Sequence, residues 1–432
     1  MVTEEMKWIE SNEKAPLQED KIRSFIAQTL ERWRGSRVLL VHPDYTRQDF
    51  SHVLVPILVD ELRQLGMEHL YTLNASGTHR PMTGTEIRQK LGIEEKFTFF
   101  NHEYDNSEAL FEVGKLDPEF VSEKTMGELN RHLPVTINKL FLQNYDLIVV
   151  LSSTIPHEAT GFSGGLKTII PGIAGPDVVG LFHWAAVLIG IPQIIGSVKN
   201  TARDIINAAC EEVFRFVRAP VLFYNMVFEE KENCVVPRAL YAGWNLQGAI
   251  QAYEKAAEMS ERIHTVYIES PLRCAVQVIG PDYDEIWTAG KGSYKLQKPG
   301  VMQEGGEIII FAPHIKVFHS NPFMDSSIRE IGYHSKGFVQ DYLRRNPGFD
   351  RNVAAHVINV RGPGSFDPDT RKENFLFQVT LATAISEEVC KSVGLGYRSP
   401  ESIVKKHFES ESCLWIEHGG KYLYDLKREG YR

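Results

Sequence analysis

The amino-acid sequence predicts an α/β protein made of two α/β domains, the first with a largely parallel sheet. Short apolar runs alternate with amphipathic stretches of helical spacing, which is the pattern of strands joined by helical crossovers. The chain has 432 residues, of which 43% are hydrophobic and 24% charged, a composition typical of globular proteins of two or three domains. We expect a first domain over 1–262 and a second over 263–404, with a segment from about 405 to 432 that can return to the first.

The first domain is predicted from short apolar runs and the helices between them. Four runs have the length and composition of buried strands, at 37–42, 69–74, 97–102 and 145–151. A helix is expected over 50–65, with Ser51 as its cap. A second helix is expected over 83–91, because Thr83 and Glu86 have the spacing of a capping box.

The second domain is predicted in the same way. A connecting helix over 244–261 is rich in Ala, Gln, Glu and Lys. Strands are expected at 265–268, 274–279, 308–312, 357–360 and 413–417. Helical character is expected over 328–343 and 377–393.

Charge, cysteine usage and hydropathy exclude several classes of protein. A net charge of −9 and a pI near 6.0 argue against nucleic-acid binding. The five cysteines form no CxxC pair, which indicates reduced thiols rather than a disulfide framework or a zinc site. The longest apolar run, 185–195, is well short of the roughly 20 residues that span a bilayer, so no membrane contact is expected. We therefore expect a cytoplasmic protein.

Polar motifs of the first domain follow the predicted strands. Asp44, Thr46 and Arg47 follow the first strand, the segment 77–80 (GTHR) follows the second, and 152–157 follows the fourth. Ligands of open α/β sheets bind at the carboxyl ends of the strands, so these loops are expected to converge.

A Gly-rich block from His157 to His183 carries the strongest signal. It reads HEATGFSGGLKTIIPGIAGPDVVGLFH and places Lys167 after two glycines. A structural turn and a phosphate-binding nest of backbone N–H groups both remain open for the glycines. The block is neither a Walker A loop nor a dinucleotide-binding GxGxxG motif. For His157 and for His183, each taken alone, a buried structural role is the commoner case.

Taken together, the motifs resemble the nickel-dependent lactate racemases, the LarA-like family. The order DxTR, then GxHR, then HxxxGFSGGxKxxxPG with a later histidine carries the resemblance over most of 37–200, and more weakly to about 310. The resemblance implies a nickel-pincer nucleotide attached covalently to Lys167, with His183 as the protein ligand of nickel. It implies His79 and His157 as the catalytic acid/base pair, in an active site in the inter-domain cleft. Cofactor contacts are implied for Asp44, Arg47, Gly164, Gly165 and Lys291.

The activity that the resemblance implies is inversion of C2 of a 2-hydroxy acid by reversible hydride transfer to the cofactor. One histidine removes the hydroxyl proton and the other returns it. The resemblance also implies cofactor-maturation enzymes as partners of the chain. The sequence leaves open whether the chain forms a homo-oligomer.

One segment of the second domain departs from the family pattern. Lactate-type members have Tyr-Gln-x-x-Lys near the substrate, whereas this chain has Trp287 and Thr288 followed by a matching Lys291. Replacing a phenol and an amide changes the shape and hydrogen bonding of the substrate site. We expect substrate contacts from Arg47, Trp287, Thr288, Lys291 and His356, and a substrate other than lactate, either a sugar acid or a dicarboxylic hydroxy acid.

Two alternatives remain open from the sequence. An oxidoreductase would keep the hydride step and stop at the keto acid, and it would need an outside electron acceptor. A non-catalytic nucleotide- or metal-binding platform would use the Gly-rich loop alone. The joint presence of His79 and His157 favours an enzyme, since simple binding does not require two acid/base groups.

Overall fold

The computed structural model describes residues 6–12, 15–231 and 234–427, and within them the chain divides into two compact units. The first unit contains residues up to Ile155, together with Phe162–Phe182 and Val198–Ile263. The second unit contains Pro156–Gly161, His183–Ser197 and the chain from His264 onward. Two short segments of the Gly-rich region thus belong to the second unit, including His157 and His183.

The N-terminal half of the chain alternates strands and helices from residue 7 to residue 264. Its strands are β1 Lys7–Glu10, β2 Arg37–Pro43, β3 His69–Ala75, β4 Thr98–Asn101, β5 Leu110–Leu116, β6 Leu133–Asn138, β7 Leu147–Ser153, β8 Pro156–His157, β9 Gly161–Phe162, β10 Val221–Lys231 and β11 Cys234–Trp244. Its helices are α1 Glu19–Leu30, α2 Ser51–Gln64, α3 Gly84–Leu91, α4 Pro118–Lys124, α5 Pro176–Ile189, α6 Ile191–Ile194, α7 Thr201–Phe214 and α8 Asn245–His264. Short 3₁₀ helices cover Lys139–Leu142 and Gly165–Thr168.

The first unit is organised by a largely parallel sheet. In the described residues its strand order is β1-β11-β10-β7-β2-β3-β4. The strands from β10 to β4 are parallel to their neighbours, and β11 and β1 add an antiparallel edge. Apolar side chains of α1, α2 and α3 pack on one face of this sheet. Ala252 and Ala256 of α8 pack on the opposite face, against Val227 and Tyr241.

The predicted helix starts of the first unit differ in outcome. Thr83 and Glu86 form the expected capping box, with each side chain accepting from the backbone N–H of the other residue. Ser51 does not cap α2; it is the first helical residue, and its N–H donates to the Asp49 carboxylate at 2.9 Å. The cap prediction was wrong by one residue: Phe50 stands at the N-cap position and makes no side-chain cap hydrogen bond.

The C-terminal half of the chain forms a second α/β unit. Its strands are β12 Thr265–Ile268, β13 Leu272–Val278, β14 Met302–Ala312, β15 Gly364–Phe366, β16 Glu373–Phe375, β17 Phe377–Thr383, β18 Gly396–Tyr397, β19 Cys413–Ile416 and β20 Leu423–Leu426. Its helices are α9 Ile286–Ala289, α10 Lys291–Tyr294, α11 Pro322–Ile331, α12 Lys336–Arg345, α13 Arg351–Arg361 and α14 Glu387–Ser392, with 3₁₀ turns at Pro400–Ser402 and Lys405–His407. A parallel sheet in the order β18-β17-β14-β13-β19 forms its centre.

The predicted α/β class with a largely parallel first sheet is confirmed, but three predicted elements are wrong. The run 357–360 lies within the helix α13, because Asp350 caps a longer helical segment around it. The stretch 377–393 is the strand β17 followed by α14, since its apolar run belongs to the sheet. The helix expected over 328–343 is interrupted at Gly332, whose φ of 75° lies in the left-handed region.

The C-terminal segment from about residue 405 pairs within the second unit rather than returning to the first. β19 pairs with β13, and β20 pairs with β12. None of the helices in the described ranges combines the length and the apolar character needed to cross a bilayer.

Candidate functional site

The loop after β2 brings the first predicted site residues together. Asp44 Oδ2 lies 2.5 Å from Nδ1 of His79, which is on the loop after β3. The other oxygen, Asp44 Oδ1, accepts from the Thr46 backbone N–H at 2.9 Å and from the Thr46 hydroxyl at 2.7 Å. β2 and β3 are parallel neighbours, so their carboxyl ends place the two loops side by side.

The charge of Asp44 determines which ring nitrogen of His79 carries the proton in the neutral imidazole. Burial alone would raise the pKa of Asp44, but the His79 charge and hydrogen bond, with help from Arg47 and Thr46, lower that pKa well below its usual range. An ionised carboxylate can only accept, so Nδ1 of His79 must carry a proton. In the neutral imidazole, Nε2 therefore carries the lone pair. A carboxylate-oriented imidazole of this kind can act as a general base.

Hydrogen bonds to buried polar groups hold the Gly-rich loop that carries Lys167. The Gly165 N–H donates to Asn225 Oδ1 at 2.8 Å and to Ser152 Oγ at 3.1 Å. The buried guanidinium of Arg203 donates to the carbonyl oxygens of Gly164 and Phe162. These contacts rigidify the loop, as satisfied buried polar networks do.

Close packing explains why glycines occupy 164 and 165. Both have positive φ, +87° and +60°. A Cβ on Gly164 would lie 2.7 Å from the Thr154 hydroxyl oxygen, and one on Gly165 would lie 2.9 Å from Cβ of Tyr253. Because the Gly165 N–H is already bonded inside the protein, the structural turn is favoured over a phosphate nest for this residue. Cofactor contacts of Gly164 and Gly165 stay predictions.

Lys167 lies in the 3₁₀ turn Gly165–Thr168 and is half-buried. Its backbone N–H donates to the Gly164 carbonyl at 3.3 Å, and its own carbonyl accepts from Gly172 at 3.2 Å. Two buried polar atoms lie near this turn: the Thr154 hydroxyl oxygen and Asn225 Nδ2 have no hydrogen-bond partner within the described part of the chain. Buried polar groups normally have partners, so these atoms point to a polar ligand or water beside Gly164 and Gly165.

His157 has surroundings unlike those of His79. Its Nδ1 accepts from the Ala159 N–H at 3.2 Å, and the same Nδ1 lies 3.5 Å from Glu158 Oε2. A backbone N–H can only donate, so the neutral ring carries its proton on Nε2 when it makes this bond. The carboxylate of Glu158 is the acceptor available to Nδ1 once the ring is protonated.

His183 makes a hydrogen bond with the opposite polarity. Its Nδ1 lies 3.0 Å from Oδ1 of Asn352, an amide oxygen that can only accept. The neutral ring therefore has its proton on Nδ1 and its lone pair on Nε2. A metal-binding histidine needs such a lone pair, and its other nitrogen is usually engaged in a hydrogen bond.

These residues fit the cofactor that the family resemblance implies. Lys167 offers an amine on a rigid turn, with unsatisfied buried polar atoms nearby. His183 offers an imidazole nitrogen to a metal through Nε2. The described residues contain no cluster of three His, Cys, Asp or Glu side chains that could hold a metal alone.

The predicted substrate residues of the second unit form an aromatic cluster. The Trp287 ring stacks on the His356 ring, with centroids 4.5 Å apart and an angle of 27°, and its edge meets His319 at 4.9 Å. His356 is buried, and its Nε2 lies 3.0 Å from the Tyr333 hydroxyl. Burial, with the charge of His319, lowers the pKa of His356 to about 3, so its ring is neutral.

Thr288 and Lys291 are each engaged inside the second unit. The Thr288 hydroxyl is buried and donates to the Glu285 carbonyl at 3.1 Å, within its own helical turn. The Lys291 ammonium lies 4.7 Å from the centroid of the Tyr283 ring, which is a cation–π geometry. Substrate roles for Thr288, Lys291 and His356 stay predictions.

The structure thus groups the predicted residues by unit. Asp44, Thr46 and His79 meet directly in the first unit, which also contains Arg47, Gly164, Gly165 and Lys167. Trp287 and His356 meet directly in the second unit, which also contains His157, His183, Thr288 and Lys291.

Sequence reasoning missed three residues that hold the predicted ones. Asn225 was detectable, because it interrupts the apolar run VLFYNMVF of β10. Glu158 adjoins His157 in the sequence and was available to the same argument. Asn352 gives no local signal, since it reaches His183 from a distant helix.

The N-terminal half of the chain matches a known protein family. Residues 2–190 match the model of the lactate racemase N-terminal domain. Among curated proteins, lactate racemase of Thermoanaerobacterium thermosaccharolyticum is 31% identical over 228 residues, and that of Lactiplantibacillus plantarum is 26% identical over 235 residues. The alignments cover 52% and 54% of this chain and 48% and 50% of the relatives, so the chain spans about half the length of the curated relatives it matches.

Two solved structures are similar over nearly the whole chain. A crystal structure of a Thermotoga maritima protein has a TM-score of 0.94 and 54% identity, covering 97% of this chain and all of that one. The lactate racemase apoprotein of Thermoanaerobacterium thermosaccharolyticum has a TM-score of 0.63 and 22% identity, covering 94% and 93% of the two chains. At that identity the second similarity shows a shared fold.

Proposed function

Because the chain belongs to the lactate racemase family through its N-terminal domain, we propose that it is an isomerase that inverts C2 of a 2-hydroxy acid. The observation that carries the proposal is the Asp44–His79 pair, at 2.5 Å. A simple binding protein has no need of a buried carboxylate that holds an imidazole in one tautomer. Such a pair is the arrangement of a general base whose protonated form must also be stabilised.

His79 is the residue that takes the substrate hydroxyl proton. Its Nε2 carries the lone pair, and Asp44 stabilises the imidazolium that forms when the proton arrives. The contact with His79, with help from the Arg47 charge and the Thr46 hydrogen bond, keeps the pKa of Asp44 well below its usual range, so the carboxylate stays ionised. General acid–base catalysis of this kind contributes roughly 10²- to 10⁴-fold to a rate.

His157 is the residue that returns a proton to the oxygen. As an imidazolium it would donate from Nε2 while its Nδ1–H turns to the Glu158 carboxylate, 3.5 Å away. The two histidines would exchange roles when the opposite configuration is the substrate. Either enantiomer can then enter the reaction.

The cofactor is held by two residues in this proposal, Lys167 as the covalent anchor and His183 as the nickel ligand. When bound, the nickel-pincer nucleotide supplies a hydride acceptor for the C2 hydrogen. The buried network of Arg203, Asn225 and Ser152 beneath the Gly-rich loop keeps the Lys167 turn in place. Loading requires cofactor-maturation enzymes, and a cytoplasmic location with access to them is part of the proposal.

The substrate is a 2-hydroxy acid other than lactate, and the Trp287 cluster favours a sugar acid over a dicarboxylic acid. Trp287 stacks on the neutral ring of His356 where lactate-type members have a tyrosine near the substrate. The Trp287 and His356 rings carry no charge to compensate the desolvation of a second carboxylate, whereas they tolerate the C–H faces of a polyhydroxy chain. Arg47 and Lys291 are the proposed partners of the single carboxylate or of the cofactor phosphate.

The proposal is tested by expression with the maturation enzymes. The intact mass, peptide mapping and nickel content should show one nickel-bearing nucleotide adduct on Lys167, absent from Lys167→Ala and retained in Lys255→Ala, an exposed control. The loaded protein should invert C2 in a panel that contains lactate, malate and aldonic acids, with lactate a poor substrate. Lactate as the clearly best substrate would overturn the substrate assignment.

The same experiment separates the alternatives. A loaded protein that accumulates keto acid with an added electron acceptor, and inverts no substrate, would be an oxidoreductase. An unmodified Lys167 in cells that mature a known family member would favour a binding platform. A His79→Ala/His157→Ala double variant should keep the adduct and lose turnover.

A further inference from the structure

We infer that Asn352 is a positioning residue that holds His183 in the tautomer required for binding a metal through Nε2. The inference rests on the proposed function, since it assumes that His183 is the nickel ligand. It assigns a role to a residue in α13, far along the chain from the family motif that contains His183. The observation that carries it is the 3.0 Å contact between His183 Nδ1 and Asn352 Oδ1.

The polarity of this hydrogen bond leaves one proton arrangement. An amide oxygen has no proton to give, so Nδ1 of His183 is the donor. The neutral ring then has its lone pair on Nε2, the nitrogen farther from the backbone. A neutral histidine without such a partner populates both tautomers, and the one with its proton on Nε2 cannot bind a metal through that atom.

The cap of helix α13 holds the backbone of Asn352 in place. It lies in the first turn of α13, where its backbone N–H donates to the capping carboxylate of Asp350 at 2.6 Å. The helix start is therefore set by a side-chain cap. The Asn352 side chain is half-buried, which limits competition from water for the same acceptor.

Neighbouring contacts hold the helix that carries His183 to the same region of the second unit. The Arg351 guanidinium lies 5.8 Å from the ring centroid of Trp184, the residue after His183. The Lys336 ammonium donates to the Leu188 carbonyl at 2.5 Å. Both contacts join residues that follow His183 in its helix to residues that precede Asn352, so they hold the two chain segments together beside the Asn352–His183 bond.

The expected consequence is a change in metal retention without loss of the fold. Outer-shell hydrogen bonds to ligating histidines are typically worth about 10- to 100-fold in metal affinity. Asn352→Leu, which removes the acceptor at similar volume, should lose nickel to a chelator about 10- to 100-fold faster than the wild type. Asn352→Asp keeps an oxygen at this position and should retain nickel. Asn359→Leu, a half-buried asparagine of the same helix, is the matched control.

The test begins with the apoprotein and needs no cofactor. Full-length chain with ¹⁵N-labelled histidine is prepared without the maturation enzymes, and the His183 signals are assigned with His183→Gln. Above pH 8 the wild type should show a protonated Nδ1 and an unprotonated Nε2. Asn352→Leu should shift His183 toward a tautomer mixture, while Asn352→Asp and Asn359→Leu should not.

The outcomes separate this inference from the proposed function. A wild-type His183 with its proton on Nε2 would overturn the inference, and this result does not depend on whether any variant folds. Equal nickel retention by loaded wild type and folded Asn352→Leu would also overturn it, while leaving the proposed function standing. A wild type that never carries nickel in maturation-competent cells would instead overturn the proposed function, and the metal-positioning role would fall with it.

Discussion

The loops around His79 and His157 offer different hydrogen-bond partners to the Nδ1 atom of the imidazole ring. His79 faces a single ionised acceptor, Asp44, which keeps a proton on Nδ1. The Nδ1 of His157 lies between a donor, the Ala159 N–H at 3.2 Å, and an acceptor, the Glu158 carboxylate at 3.5 Å. His79 is therefore fixed in one tautomer, whereas His157 has a partner for either state of Nδ1.

One histidine of the proposed pair thus has a single tautomer, and the other is adaptable. A fixed lone pair on Nε2 suits the group that takes the hydroxyl proton first. A ring with both partners at hand suits the group that must be protonated before it can return a proton. This difference can be tested at either histidine by a substitution that changes one of its hydrogen-bond partners.

Asp44→Asn should have the largest effect. Both Thr46 donors point at Oδ1, so an amide in the same pose would turn its NH₂ toward His79 and force Nδ1 to accept. The lone pair would then leave Nε2, and kcat of the loaded protein should fall about 10²- to 10⁴-fold. Steady-state inversion rates measure the change.

Thr46→Val is the control for Asp44→Asn, because it removes one donor but keeps the carboxylate. It should cost much less activity. Wild-type activity in Asp44→Asn with an intact Lys167 adduct would contradict the assignment of His79 as the base.

A third histidine, His356, differs from both of these, because its burial keeps the ring neutral. Its pKa in the folded protein, about 3, is lower than the ordinary histidine value of 6.5. The unfolded chain therefore binds more protons between these pH values, and the stability that neutral His356 contributes is lost as pH falls from 6.5 toward 3. The wild type should lose about 2 kcal/mol more unfolding free energy than His356→Phe between pH 6.5 and 4.5.

Urea unfolding at the two pH values measures this difference. Only the change in unfolding free energy between the two pH values is compared, so any direct packing effect of the phenyl ring cancels. Parallel stability curves for the wild type and His356→Phe would show that the ring takes up its proton over the same pH range in the folded and the unfolded protein, and would contradict the lowered pKa of His356.

Glu158→Gln should have a smaller effect, on the adaptable side of the comparison. The protonated His157 ring would lose the anionic acceptor of its Nδ1–H, while the Ala159 bond of the neutral ring would remain. The kcat of inversion should fall about tenfold with little change in KM. Glu123→Gln, at a largely exposed carboxylate, should leave both parameters unchanged. A Glu158→Gln enzyme with wild-type kcat would show that the protonated His157 ring does not need the Glu158 carboxylate. That result would contradict the proposed difference between His157 and His79.

Arg80→Ala should have the smallest effect, although Arg80 follows His79 directly. Its guanidinium pairs with Glu86 at 2.8 Å and lies 4.1 Å from the Tyr45 ring centroid. The pair is largely exposed, so its loss should lower the unfolding free energy by less than about 1 kcal/mol and leave turnover nearly unchanged. A loss of turnover comparable to that of Asp44→Asn would place Arg80 in the reaction.

The sequence predicted the parts of the molecule that depend on local pattern. The apolar runs of the first sheet and the Thr83 capping box have short-range signals, and both were found in the structure. The runs at 357–360 and 377–393 were assigned wrongly, because short apolar stretches suit a buried helix and a strand equally. Only packing decides between them.

Within the candidate site, motifs located the histidines but not their proton arrangements. His79 and Asp44 are 35 residues apart, and His183 and Asn352 are 169 apart. The tautomer depends on which of these distant partners is a donor and which an acceptor, so no local pattern contains it. The domain boundaries and the roles of the site residues stay predictions.

The most direct test of the central claim follows the hydrogen on C2. The loaded protein is incubated in ordinary water with an accepted substrate deuterated at C2, and label and configuration are measured together. The account predicts inverted product with deuterium still on C2, because His79 and His157 act on the hydroxyl proton and the C2 hydrogen moves as hydride. Inverted product with hydrogen from water at C2 would mean that a histidine removes the C2 proton itself, and would contradict the account.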